Sequence, residues 1–366
     1  MKLAFTGDIY FSPERKNTEF TVSEKIKEII NQCDKICINL EGPVKAEKNM
    51  PSKKIGPGIY QDREKVEQIT KENKIIYNLA NNHIMDYGKD GYIKTISVIG
   101  NENLGAGSNE KAYEPYMVES NGIKVALISV AEAGFGVVKS NENSEYGYAW
   151  FRDKKIKENI KKYKEICNYV IVISHAGLED VNIPLPEIRE LYKEYIDCGA
   201  DLVIGHHPHV IQGMEEYKGC HIFYSLGNCV FDRLDGKGEY NPDSIGVLVD
   251  LDDVVKTEVV PLVYKNGKLD VSDNCELFDA ACKSLLNDKY IDDITNVCRE
   301  YYEKYYRMYY RGINGRNNRL YNVWKAFLYL IGVNTFNDDM VYHNLEIETH
   351  YWTTVRGLNE VRKANG

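Results

Sequence analysis

The sequence predicts an α/β sandwich whose sheets are covered by helices, followed by a helical C-terminal module. Over the first 210 residues short β-like runs alternate with helix-like ones, and after residue 220 the pattern is mostly β. From about Phe278 the reading turns helical and the composition shifts toward Tyr and Arg. Alternation of this kind builds a sheet with crossover helices on its faces, and the later strands extend it. A boundary near Val271–Cys275 divides the chain into a domain of residues 1–272 and a module of residues 273–366.

Taken in order, Lys2–Thr6 reads as a strand, and Thr21–Cys33 as a helix opened by a capping box of Thr21 with Glu24. Lys35–Leu40 is a strand, Asp62–Glu72 a helix with Val66 and Ile69 on one face, and Lys74–Leu79 a strand. A helix follows from about Lys89 to Asn101. Tyr116–Glu119 and Ile123–Val130 flank Asn121-Gly122, a hairpin signal. Asp153–Cys167 is a helix, Tyr169–Ser174 a strand, Glu187–Cys198 a helix and Asp201–Ile204 a strand. The later strands are His221–Ser225, Ser244–Leu251 and Thr257–Tyr264, with a turn at Asn266-Gly267.

At 366 residues the chain can bury a large core, and 43% hydrophobic with 28% charged residues is a globular composition. A net charge of −9 argues against a nucleic-acid binder, which needs a basic face. The nine cysteines lack CxxC spacing, and an odd count fits reduced thiols acting as small core residues. Met1–Thr6 runs straight into Gly7-Asp8, with no basic and apolar leader, and the most apolar later stretch, Ala326 to Val333, is too short to span a bilayer. The expectation is a cytoplasmic protein with no membrane span.

Polar side chains of metal-binding type recur where these strands end. The first strand leads into Gly7-Asp8, the second into Glu41-Gly42, the third into Asn81-Asn82-His83 with Asp86, and the strand at 169–174 into His175. The run Leu202 to Ile204 leads into Gly205-His206-His207-Pro208-His209. In an extended turn His207 and His209 project to one side. Ligands of open α/β sheets bind beyond the carboxyl ends of strands. Asp8, Glu41, Asn82, His83, His175, His207 and His209 are thereby expected on one rim. Carboxylates, an amide oxygen and imidazoles suit one or two Mn, Zn or Fe ions.

The ordered set Gly7-Asp8, Asn39-Leu40-Glu41-Gly42-Pro43, Ala80-Asn81-Asn82-His83 with Asp86-Tyr87-Gly88, His175, Gly205–His209 and Tyr224-Ser225-Leu226-Gly227-Asn228 resembles the CapA family. These poly-γ-glutamate capsule synthesis proteins belong to the calcineurin-like metallophosphoesterase superfamily. The resemblance covers roughly residues 1–260. It implies a four-layer α/β/β/α metallophosphoesterase-like sandwich and hydrolysis of a phosphoester at one or two divalent ions. Asp8 is then a ligand of the first metal and Glu41 a bridging carboxylate. Asn82, His175 and His207 serve the second metal, and His209 returns to the first. His83 binds the substrate phosphate and assists the leaving group, and Asp86 orients His83. The chain departs from the superfamily at Tyr10, where a histidine is usual, and at Glu41, where an Asp is usual. The implied partner is a small-molecule or polymeric anionic substrate. A factor in poly-γ-glutamate or capsule polysaccharide synthesis, non-catalytic or amide-cleaving, is the alternative.

Other features have plainer readings. Tyr301, Tyr302, Tyr305, Tyr306, Tyr309 and Tyr310 mark one face of a helix, better suited to packing than to a glycan platform. Arg307, Arg311, Arg316 and Arg319 fit a solvated face as well as an anion site. His343, Glu346 and His350 share a helical face by coincidence, and His221 is structural. Ser225 and Asn228 read as a turn scaffold beneath the site.

Overall fold

The computed structural model describes residues 1–47, 49–235, 238–306, 323–324, 327, 330–331 and 338–365. Two compact units emerge, residues 1–53 with 57–287, and residues 54–56 with 288–366. Arg307, Tyr309, Tyr310, Arg311, Arg316 and Arg319 lie outside the described residues.

The first unit begins with β1 (Lys2–Tyr10), α1 (Glu24–Gln32), β2 (Lys35–Leu40), α2 (Arg63–Ile69), β3 (Ile75–Asn78) and α3 (Gly88–Ile99). It continues with β4 (Tyr116–Ser120), β5 (Ile123–Ala131), α4 (Lys154–Lys164), β6 (Tyr169–His175), α5 (Pro186–Asp197), β7 (Leu202–His206), β8 (Ile211–Tyr217) and β9 (Cys220–Leu226). The remainder is β10 (Asn228–Phe231), β11 (Asp243–Leu251), β12 (Val255–Lys265), β13 (Lys268–Val271) and α6 (Glu276–Leu285).

These strands form two large sheets. The first runs Thr21–Val22, β13, β12, β11, β1, β2, β3, Asn103–Leu104, with β10 joining β1. The second runs β8, β9, β7, β6, β5, β4. Leu3, Phe5, Cys37 and Ile76 of the first sheet share one core with Leu127, Ile171, Ile173, Ile204 and Phe223 of the second. On the outer face of the first sheet, Ile26 of α1, Val66 of α2 and Tyr92 of α3 pack against Ile36, Ile38 and Tyr77. Helices α4 and α5 cover the far face of the second sheet, on β5 and β6 and on β7 and β9 respectively. The result is the four-layer α/β/β/α sandwich, with each buried aliphatic side chain contributing about 1.5–3 kcal/mol.

Strand register aligns the site. In the first sheet Asp8 lies beside Asn39 of β2 and Asn228 of β10. In the second, His175 lies beside Ala131 of β5 and His206 of β7. Two glycines permit this. A Cβ on Gly7 would sit 1.9 Å from the Gly227 carbonyl oxygen, and one on Gly205 would sit 2.0 Å from that of Tyr224.

Several local expectations need correction. Thr21 does not cap α1: its N–H donates to the Gly267 carbonyl from within a short strand, and Ser23 accepts from Ile26 N–H as the cap. The histidine turn is not extended, because His207 and His209 both have positive φ, 97° and 59°. A strand unread in the sequence, β8, forms a hairpin with β9 through Lys218-Gly219. Its Gly213 lets α6 approach so closely that a Cβ would meet the Ala281 carbonyl carbon at 2.7 Å.

The second unit contains α7 (Tyr290–Tyr301), α8 (Asp338–Glu346) and α9 (Glu348–Asn365). Ile294 and Cys298 of α7 are fully buried, and Gly357 of α9 lies so close that its Cβ would be 2.4 Å from the Cys298 carbonyl oxygen. A π-helical turn at Tyr302–Tyr306 changes the register at the start of the tyrosine stripe. His343 and His350 face one another with ring centroids 5.6 Å apart.

Candidate metal centre

The strand ends of both sheets deliver their polar side chains to one buried cluster. Asp8, Glu41 and His175 are fully buried, and His207 and His209 are each 6% exposed. Asn82 Oδ1 lies 2.9 Å from His175 Nε2, which lies 3.1 Å from His207 Nδ1. Donor atoms bound at about 2.0–2.2 Å to one ion stand roughly 3 Å apart, so this spacing matches the edges of a coordination polyhedron. Beside it, one donor atom each from Asp8, Glu41 and His209 fall within 4.8 Å of one another. His209 Nδ1 is 3.5 Å from Asp8 Oδ2, and its Nε2 is 3.7 Å from Glu41 Oε1.

The left-handed turn makes this convergence. With positive φ at His207 and His209, the chain folds back and both rings enter the cluster, their centroids 5.9 Å apart. Non-glycine residues hold such backbone only where their surroundings enforce it. Here the His207 N–H donates to Asp8 Oδ2 at 3.2 Å, and the Asp180 N–H donates to the Pro208 carbonyl at 2.9 Å. His206 points away and meets the Thr6 carbonyl through Nε2 at 2.9 Å.

His83 stands at the rim, 8% exposed. Its Nδ1 is 2.7 Å from Asp86 Oδ2, which also accepts from the Ile59 N–H at 2.8 Å. The other ring nitrogen therefore faces the cluster, 3.9 Å from Glu41 Oε1. The Tyr10 ring packs on Phe231, centroids 5.2 Å apart.

A family model described as "Bacterial capsule synthesis protein PGA_cap" matches residues 2–233. The chain belongs to the PGA_cap family. It is 32% identical over 248 residues to the PGA biosynthesis protein CapA of Bacillus subtilis, a match covering 64% of each chain. It is also 32% identical over 229 residues to the capsule biosynthesis protein CapA of Bacillus anthracis, covering 60% of this chain and 55% of that one. The match thus spans less than two-thirds of the length of these curated relatives. A solved structure of a putative 5'-nucleotidase from Staphylococcus aureus in complex with α-ketoglutarate is similar over 78% of this chain and 58% of that chain, at 14% identity and TM-score 0.46. No described helix is long and apolar enough to cross a membrane.

In this PGA_cap chain the electrostatics suit a cation. Burial and neighbouring rings hold the His175 imidazole well below its ordinary value, and burial pushes His207 down to about 3. Both rings are neutral at pH 7 and keep ligand lone pairs. Among the described residues the ion-pair contacts of the fully buried Asp8 are with His175 and His209. A buried carboxylate beside a neutral imidazole such as that of His175 is costly unless a positive charge joins it. The donor set, two carboxylates, an amide oxygen and three imidazoles, fits a divalent ion of the Mn, Zn or Fe type.

Several residues outside the expected ligand set join this cluster. Glu132, 3% exposed, places Oε1 3.3 Å from His207 Nε2. It follows the end of β5, so the same strand-end logic reaches it once that strand is extended to Ala131. Asn39 is a hub: its Nδ2 donates to Asp8 Oδ1 at 2.7 Å and faces His175 Nδ1 at 3.2 Å, and its Oδ1 accepts from Asn78 at 3.0 Å. Asn228 Oδ1 meets His209 Nδ1 at 3.0 Å, a scaffold role from within a strand. Glu179, exposed, forms a third donor group with His207 and His209. His221 Nδ1 instead bonds Thr257 Oγ1 at 2.7 Å, and His343, Glu346 and His350 form no metal-type group among the described residues.

Proposed function

We propose that the protein is a metal-dependent hydrolase of phosphoesters, with Asp8, Glu41, Asn82, His175, His207 and His209 holding one or two divalent ions. The observation that carries this reading is the pair of adjoining donor groups, Asn82–His175–His207 and Asp8–Glu41–His209, beneath a rim histidine braced by a carboxylate. When bound, a divalent cation there supplies Lewis-acid polarisation of a phosphoryl oxygen and acidifies an attacking water. The protein's own residues do the rest. Asp86 accepts from Nδ1–H of His83 and so presents Nε2 to the substrate. As the imidazolium, with one N–H held by Asp86 and the second on Nε2, His83 donates a hydrogen bond to a phosphoryl oxygen, or that second proton to the departing oxygen, a role typically worth ~10²–10⁴-fold. Asn39 and Asn228 hold Asp8 and His209 in place through the bonds already described.

The test is direct. Purified protein with Mn²⁺ is expected to cleave p-nitrophenyl phosphate or bis-p-nitrophenyl phosphate, and His207→Ala to abolish this. Inactivity over a broad phosphoester panel with metal demonstrably bound overturns the reading.

A second reading has support from the names of the relatives and from Tyr10. In it the fold acts in assembly of poly-γ-glutamate or capsule polymer, without turnover or by cleaving an amide. Retention of polymer binding after His207→Ala, with no phosphoester turnover, favours this; digestion of the polymer itself identifies the amide-cleaving form.

A further inference from the structure

Next to His83 the first unit carries an aromatic and cationic cluster that the hydrolytic reading leaves unused. Lys45 is half-buried, and its ammonium lies 4.9 Å from the centroid of Tyr60 and 5.4 Å from that of Tyr87. The two rings meet edge to face at 5.3 Å. An ammonium on two aromatic faces keeps its charge available while shedding part of its water, which strengthens its pull on an anion.

The cluster is joined through the chain to the residues that brace His83. Tyr60 and Tyr87 are the chain neighbours of Ile59 and Asp86, whose own hydrogen bond secures the carboxylate that braces His83. Tyr10 continues the wall: it packs on Phe231 at 5.2 Å, and Phe231 packs on His209 at 4.8 Å. Burial, with smaller contributions from Glu14, Tyr60 and Tyr87, holds the Tyr10 phenol above its ordinary value. The position where the superfamily pattern has a metal-binding histidine therefore belongs here to an aromatic wall running from His209 toward Lys45.

The segment bearing this wall is fastened. The Ser52 N–H donates to the Asp86 carbonyl at 2.8 Å, and Asn49 Nδ2 donates to the Tyr87 carbonyl at 2.7 Å. Near its end, the Gln61 side chain donates to the Glu41 carbonyl at 2.7 Å. Lys45 and Tyr60 are thus presented on backbone tied to the site, which reduces the ordering cost of binding.

We propose that Lys45, Tyr60, Tyr87 and Tyr10 form a subsite for a second anionic group of the substrate, set apart from phosphorus. The substrate class is a phosphoester that also carries a carboxylate or a group of like charge. This rests on the phosphoester reading for the position of phosphorus, but its test does not need turnover.

The full chain, loaded with Mn²⁺, is titrated calorimetrically with two pairs of non-hydrolysable probes: benzylphosphonate against 4-carboxybenzylphosphonate, and propylphosphonate against 3-phosphonopropionate. Wild-type protein is expected to bind the carboxylated member of at least one pair about tenfold more tightly, as one partly desolvated charge pair provides. Lys45→Met is expected to remove the preference without changing affinity for the member that lacks the carboxylate, and Lys45→Arg to restore it. Tyr60→Leu, which keeps the ammonium but strips a ring, is expected to reduce it. No preference in either pair for wild type, or an undiminished preference in Lys45→Met, overturns the subsite. Failure to cleave aryl phosphates with Mn²⁺ bound overturns the hydrolase reading instead and leaves the probe comparison standing.

Discussion

His207 Nε2 lies 3.3 Å from Glu132 Oε1, while Nδ1 of the same ring faces His175 Nε2 at 3.1 Å. A buried carboxylate next to one ring nitrogen keeps the proton there and leaves the lone pair on the other. Glu132 thus selects Nδ1 as the atom that faces the candidate ion. Its backbone is secured independently, since the Glu132 N–H donates to the His175 carbonyl at 3.1 Å. Removing such a carboxylate typically weakens metal affinity ~10–100-fold. Glu132→Leu is expected to weaken Co²⁺ binding by that factor in calorimetry and to alter the visible spectrum of the Co²⁺ form. Glu132→Gln, which keeps an acceptor, is expected to fall between. Unchanged affinity and spectrum in Glu132→Leu would rule out the orienting role.

His83 and Asp86 separate chemistry from metal retention. His83 belongs to neither donor group around His209 or His175, and Asp86 contacts it on the far side of the ring. His83→Asn is expected to lower kcat by ~10²–10⁴-fold while metal content stays at the wild-type level. Asp86→Asn keeps the residue's shape but weakens its hold on Nδ1–H, and a smaller loss is expected. Metal analysis beside steady-state kinetics decides this, and loss of metal in His83→Asn would reassign His83 to the ligand set.

The six proposed ligands were legible because a parallel strand ending in a polar residue delivers it to one edge of the sheet, whatever lies between strands. That rule gathers Asp8, Glu41, Asn82, His175, His207 and His209 without knowledge of the loops. It does not reach Glu132 because the run Ile123–Val130 reads as half of a hairpin and stops one residue short of the strand's end at Ala131. Strand β8 escaped because Gln212, Gly213, Glu215 and Glu216 break the apolar pattern, although Gly213 is there to admit α6. The histidine turn was legible in content but not in shape. Positive φ at two non-glycine residues is imposed by tertiary hydrogen bonds to Asp8 and Asp180, which no local pattern announces.

Gly205 links this turn to fold stability. It is the last but one residue of β7, and its missing side chain leaves room for the Tyr224 carbonyl of the adjoining strand. The obstruction to a Cβ is backbone at 2.0 Å, so no rotamer change relieves it. Gly205→Ala is expected to destabilise the first unit by at least ~1–3 kcal/mol in urea unfolding, the range for overpacked cores. Gly219→Ala, in an exposed turn with nothing within 4 Å of its Cβ but φ of 77°, is expected to cost less. The reverse order would show that the strands separate freely at the site.

Acid sensitivity follows from the buried rings. His175, His206 and His207 are all held below the ordinary imidazole value of 6.5, with burial the leading cause in each. Between the folded and unfolded values the unfolded chain binds more protons, so stability rises with pH in that window. The contribution of His207 is complete above about pH 6.5 and is lost as pH falls toward about 3. A bound cation needs the same neutral rings, and because the folded His207 ring stays neutral until about pH 3, the stabilisation the cation adds persists down toward that value. Protein stripped with a chelator is therefore expected to show a falling Tm from about pH 6.5 downward, and metal-loaded protein a parallel fall from a higher Tm. Carboxylates add their own acid response, which His207→Asn leaves in place. The variant is expected to have a shallower slope than the stripped wild type, and parallel slopes would show that protonation of this ring does not govern the loss.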